Sequence, residues 1–160
     1  MRIENDILIP ELARLLAEGK EVRFTPSGVS MRPFIEGDKD SVILAKLARE
    51  PQIGDIVLAS ALPSYTDDDE NIYVLHRIVE EDWDEDEGVP YVVYDLEGDG
   101  NLSGREFCNP EEIYGTVIRI ESPHGFRKPL TRGKLWLRLK PHRSFLLKLY
   151  RHTILKWLYC

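Results

Sequence analysis

Residues 72–79 read Ile-Tyr-Val-Leu-His-Arg-Ile-Val. β-Branched and aromatic residues dominate the run, and side chains of a strand point alternately to its two faces. Val74, His76 and Ile78 therefore share one face, and Leu75, Arg77 and Val79 the other. Both faces carry apolar groups, so His76 is expected to be at least half buried. The same texture recurs on either side, at Glu21–Thr25, Ser41–Lys46, Asp55–Ala59, Tyr91–Glu97 and Ile113–Ile120. Pro26, Gly28, Pro33, Gly37, Pro51, Gly54, Gly98 and Gly100 punctuate these runs. Short strands in close succession, without helical periodicity between them, predict a mainly β fold: a partly closed antiparallel β-domain.

Helical patterns flank it. In residues 7–18, Leu12, Leu15 and Leu16 share a face, Pro10 is expected in the first turn, and Gly19 is a stop signal. From Pro123 onward the chain is basic, and Ser144 is expected to cap a helix running to about Tyr159. The expected organisation is an N-terminal helix (1–20), a β-domain (21–121) and a basic helical tail (122–160).

The 160 residues, 42% hydrophobic, can bury a core and exclude general disorder. The net charge of −7 hides a split: all 28 acidic residues precede position 122, while ten of the 21 lysines and arginines follow it. The acidic body argues against nucleic acid as a ligand. In the tail, Phe145, Leu146, Leu149, Ile154, Leu155, Trp157 and Leu158 accompany Lys148, Arg151, His152 and Lys156. Residues 130–160 thus suit a helix lying on an anionic membrane surface, or equally one packed on the body or a partner. No uncharged apolar run reaches the ~18 residues of a membrane span. The opening MRIENDILIPE carries acids and does not read as a secretory signal. Cys108 and Cys160 form no CxxC pair, and Cys108 is expected to be a small buried residue. A cytoplasmic protein, or one peripheral to the inner membrane, is expected.

Two acidic runs, Asp67–Glu70 and Glu80–Glu87, interrupt the β pattern. The second departs from a calcium loop, with Glu87 at the turn-glycine position and Val93 at the bidentate position, and reads as a solvated hairpin loop. His124, His142 and His152 lack HxxxH spacing, and no GxGxxG or Walker loop occurs, so neither a metal nor a cofactor is expected.

Three segments can carry chemistry. Ser30 lies between Gly28 and Pro33, directly after a predicted strand, where small neighbours expose a hydroxyl; a plain turn serine reads the same way. His76 reads either as a core histidine or as a general base for a serine. In LEGDGNLSGREF, residues 96–107, Asp99 and Glu106 are carboxylates able to orient that imidazole, and the glycines alone suit a hairpin.

Taken in order, these segments resemble the serine peptidase superfamily of type I signal peptidases and LexA-type repressors. Ser30-Met31-Arg32-Pro33 resembles the Ser-Met-x-Pro nucleophile box, followed by Gly37-Asp38. Gly54-Asp55-Ile56-Val57 resembles the next strand entry, Leu75–Val79 the base-bearing strand, Gly98-Asp99-Gly100-Asn101 the Gly-Asp-x-Asn box, and Ile113–Val117 the closing strand. The likeness spans residues 22–120. Bacterial signal peptidases and LexA-type proteins use a lysine base, but no lysine occurs between Lys46 and Lys128. His76 stands in its place, as in the archaeal and endoplasmic-reticulum branch. That branch has an aspartate shortly after the Gly-Asp-x-Asn box; here Ser103, Gly104, Arg105 and Glu106 stand there.

The resemblance implies a serine peptidase acting on a peptide or protein, with Ser30 as nucleophile, His76 as base and Glu106 as orienting acid, while Asp99 fixes the turn. The position two before the nucleophile, where the family can place an assisting hydroxyl, is Gly28. A non-catalytic peptide-binding module of the same fold is the alternative. A self-cleaving repressor fits worst, because only 29 residues precede Ser30.

Overall fold

A computed structural model describes residues 5–64, 70–129, 133–150 and 152. Helix α1 spans Asn5–Ala17. Its stripe of Ile9, Leu12 and Leu16, at spacings of three and four, is buried. It packs on strands β1 (Val22–Phe24) and β7 (Ile113–Ser122). Leu16 rests on Gly115, where a Cβ would come within 3.1 Å of a Leu16 methyl and 2.8 Å of the Ala45 carbonyl. Pro10 lies inside the helix and not in the first turn as expected. The helix begins earlier than the apolar pattern suggested, so proline forfeits the bond to the Asp6 carbonyl while the buried stripe holds the helix. Gly19, at φ 80°, ends it: its N–H donates to the Leu16 carbonyl and that of Lys20 to the Leu15 carbonyl, a Schellman closure.

The remaining strands are β2 (Ser41–Ala45), β3 (Ile56–Pro63), β4 (Ile72–Asp86), β5 (Val89–Glu97), β6 (Glu106–Cys108) and β8 (Gly125–Arg127). The fold is mainly β, with strand order β1-β2-β7-β3-β4-β5-β6 and β8 paired with the C-terminal end of β7. All pairings are antiparallel. β6 also pairs with β3, Leu62 opposite Phe107 and Pro63 opposite Glu106, so β3, β4, β5 and β6 close into a ring. The six expected strands are present. β6 and β8 were not foreseen, since three residues are too few to show an alternation.

Two cores result. Val57, Ala59, Ala61, Val74, Ile78, Tyr94, Leu96 and Cys108 pack together from the four ring strands. A second core joins α1, β1, β2 and β7 to Met31, Ile35 and Leu75. β4 serves both, as its two apolar faces required.

The run Glu80–Glu87 is a hairpin but not a long loop. β4 and β5 stay paired as far as Asp86 opposite Val89. The turn is only Glu87-Gly88, at φ 49° and 83°, the left-handed pair that a two-residue hairpin needs. Of the other acidic run, residues 67–69 lie outside the described residues.

In the tail, α2 spans Gly133–Arg138 and α3 Arg143–Leu149. Ser144 is not the cap: a short 3₁₀ turn, Lys140–His142, feeds directly into α3, placing His142 at the cap without a side-chain bond. The expected continuation to Tyr159 lies outside the described residues except at Tyr150 and His152. The described part packs on the acidic body. Arg143 pairs with Glu97, Lys140 Nζ lies 2.7 Å from the same carboxylate, and the Trp136 indole donates to the Asp99 carbonyl at 3.2 Å. Among the described residues no helix is long and apolar enough to cross a membrane.

Candidate functional site

Ser30 sits in a turn between β1 and β2, half-exposed, with the next residue and Ile35 driven into the core: Met31 and Ile35 are buried. These two apolar pegs fix the segment and leave the serine at the surface. The loop is also gripped from outside. Asp38 N–H donates to the Pro26 carbonyl at 2.8 Å, and Gly100 N–H to the Ser30 carbonyl at 2.7 Å. Three glycines make this approach possible. A Cβ on Gly37 would fall 2.1 Å from the Gly28 carbonyl, one on Gly98 2.6 Å from the Ser30 carbonyl, and one on Gly100 2.7 Å from the Val29 carbonyl. The Gly-Asp-x-Asn turn is thus a backbone clamp on the serine loop. Among the described residues, neither the Ser30 hydroxyl nor its backbone N–H has a hydrogen-bond partner.

His76, 6% exposed, lies in the first third of β4 opposite Val57 of β3. Its Nδ1 is 2.8 Å from Oε2 of Glu106, itself 1% exposed. Alternation puts His76 with Val74 and Ile78, and Glu106 with Cys108, on the faces that supply the ring core. Closure of β6 onto β3 brings the acid to the imidazole. A carboxylate on Nδ1 fixes the ring orientation and leaves Nε2 as the nitrogen open to a substrate-side group.

Asp99 has another task. Arg77 Nε and Nη2 donate to its two carboxylate oxygens at 2.8 and 2.7 Å, and Arg77 Nη1 donates to the Gly54 carbonyl at 2.7 Å. Both side chains are 1% exposed. The fork ties β4, immediately beside His76, to the turn that clamps Ser30.

Ser30 and His76 line one cavity of about 130 Å³, together with Ile9, Phe24, Met31, Leu58 and Leu75. Ser27 and Gly28 also border it, and Gly28 contributes no side chain. No direct hydrogen bond joins Ser30 to His76. Ser30, on a loop, and His76, on β4, thus border one cavity, and Glu106, on the ring-closing β6, reaches His76. Sequence reasoning missed Glu97, a buried carboxylate that holds the tail through Arg143 and Lys140, because strand β5 gives no local sign of a partner so distant in the chain.

Comparison with protein-family models, curated proteins and solved structures finds no match to this chain.

Proposed function

We propose that the chain is a serine endopeptidase, of the signal-peptidase and LexA superfamily, that cleaves a peptide or protein by acyl transfer. The observation that carries this reading is that one cavity is lined both by a serine whose hydroxyl has no hydrogen-bond partner among the described residues and by a histidine whose Nδ1 already holds a buried carboxylate. His76 takes the Ser30 proton as Oγ attacks the scissile carbonyl, and Glu106 offsets the charge of the imidazolium so formed. The Ser30 N–H, uncommitted to any described residue, is the donor for the oxyanion. The leaving amine departs with the proton from His76. Water then enters, gives a proton to His76 and attacks the acyl ester, releasing the acid and restoring Ser30. The cavity is small and its walls mix apolar side chains with polar groups, which favours small side chains next to the cleaved bond.

A second reading, a peptide-binding module without turnover, draws on the lack of a direct Ser30–His76 hydrogen bond. Such contacts commonly tighten only when substrate is bound. Digestion of a mixture of unstructured peptides, with products identified by mass spectrometry, separates the two. Cleavage beside small residues that vanishes in both Ser30→Ala and His76→Ala supports the peptidase. Binding without products, or products that persist in Ser30→Ala, supports the module.

A further inference from the structure

The tail's basic residues are not all used in the same way. Three of them turn inward or sideways onto body carboxylates: Arg143 and Lys140 onto Glu97, and Arg127 onto Asp40 at 2.8 Å. Arg143 and Leu147 are buried, and Tyr150 reaches Glu36 from the same side of α3. These contacts set the rotation of α3. They force Phe145 and Lys148, three apart and on the opposite side, to face outward. Phe145 is 67% exposed and Lys148 is exposed.

α2 repeats the arrangement. Trp136 turns inward, edge-on to Phe34 at 5.2 Å and beneath the Arg143 guanidinium at 5.5 Å. Leu135, 66% exposed, and Arg138 turn outward, again three apart. Each short helix thus turns its indole or guanidinium onto the body and exposes large apolar groups, Leu135 on α2 and Phe145 with Leu149 on α3, beside Arg138 and Lys148. A helix that merely capped the body would place its apolar groups inward and its charges outward. No acidic residue follows position 121 to interrupt this surface.

We propose that the outward side of α2 and α3 is a docking surface for an anionic lipid bilayer. Phe145 and Leu135 enter the boundary between headgroups and acyl chains, while Arg138 and Lys148 meet the lipid phosphates. Charge disfavours pairing of this face with its own copy, which would set Arg138 and Lys148 against the same cations, and it suits the phosphates of an anionic bilayer. The inference stands independently of the peptidase reading.

The test is co-sedimentation of the full chain with phosphatidylglycerol-rich vesicles and with pure phosphatidylcholine vesicles. The expected result is a partition at least ~10-fold higher on the anionic vesicles, falling steeply as salt is raised. Phe145→Glu with Leu135→Glu is expected to lose that partition while circular dichroism and the melting curve are retained. Arg138→Glu with Lys148→Glu is expected to abolish the preference for anionic lipid through charge alone. Equal pelleting with both vesicle types would overturn the proposal. So would anionic binding unchanged in both variants, or a dimer seen by light scattering that Phe145→Glu dissolves while no vesicle binding occurs.

Discussion

His76 and Glu106 meet through Nδ1 and a carboxylate oxygen 2.8 Å apart, although they stand on strands separated in the ring by β5 on one side and β3 on the other. Neither strand alone specifies the contact. It exists because the three-residue strand β6 pairs with both of its ring neighbours, Glu106 lying opposite Pro63 and Leu96. Glutamate's extra methylene relative to aspartate gives the side chain reach from that short strand to the histidine.

The first prediction follows from this contact. Glu106→Gln keeps the size but cannot offset an imidazolium charge, so kcat/KM should fall by about 10²–10⁴-fold. Glu106→Asp, one methylene short of the histidine, should lose activity as well. Peptide cleavage assays alongside melting curves check this; full activity in Glu106→Gln would remove Glu106 from the mechanism.

Gly98 provides a geometric test. An alanine methyl there would lie 2.6 Å from the Ser30 carbonyl and 2.8 Å from the Asn101 side chain, so the clamp must move the serine loop. Gly98→Ala should cost stability by ~1–3 kcal/mol, an ordinary overpacking effect. Its cleavage rate should fall disproportionately, at least ~10-fold, because an ångström-scale misplacement of a nucleophile is costly. Urea titration and kinetics on the same preparation separate the two effects.

The buried fork between Arg77 and Asp99 predicts strong coupling. Removing one partner strands a charge in the core, and Arg77→Met or Asp99→Leu alone should destabilise by about 3–5 kcal/mol. The double variant should cost clearly less than the sum of the singles. Additive losses in urea unfolding would show that the two charges do not act as a pair.

How much of this was legible in the sequence depends on the range of the signal. The alternation in Ile72–Val79 announced both a strand and a histidine committed to the interior, because burial on two faces leaves a local pattern. Ser30 and the glycines at 37, 98 and 100 were visible as a sequence of turns. Their shared purpose was not, since only the folded chain shows that all three press on one loop. β6 and β8 escaped because strand pairing is set by partners far along the chain and three residues hold no period. The tail was ambiguous because composition does not say which cations an acidic body will claim; Glu97 decides that for Lys140 and Arg143.

Burial pushes the Cys108 thiol up to about 12, with the Glu112 and Asp95 charges adding to the effect. A thiol held protonated is a poor nucleophile. In a Cys160→Ser background, Cys108 should therefore resist a disulfide-exchange reagent at pH 8 and react fully in denaturant. Rapid native labelling would contradict the packing of β6 against the ring core.

Asp95 lies beside Glu80 and Asp82, with Arg105 2.5 Å from its carboxylate. Burial raises its pKa above the ordinary aspartate value, and Arg105 offsets that only in part. A raised carboxylate pKa means the folded state holds the proton longer than the unfolded state, so this group's contribution to stability falls as pH rises from about 4 upward. The stability of Asp95→Asn relative to the unsubstituted chain should increase over the same window. Paired melting curves at several pH values check the sign, and a decreasing difference would refute it.

The proposed peptidase needs Ser30 as a nucleophile activated by His76. The most direct measurement is reaction of the intact chain with a fluorophosphonate, followed by mass mapping of the adduct. A single adduct is expected on the peptide containing Ser30, abolished by Ser30→Ala and slowed by orders of magnitude in His76→Ala with the fold retained. Labelling elsewhere, or labelling of Ser30 at an unchanged rate without the imidazole, would contradict it.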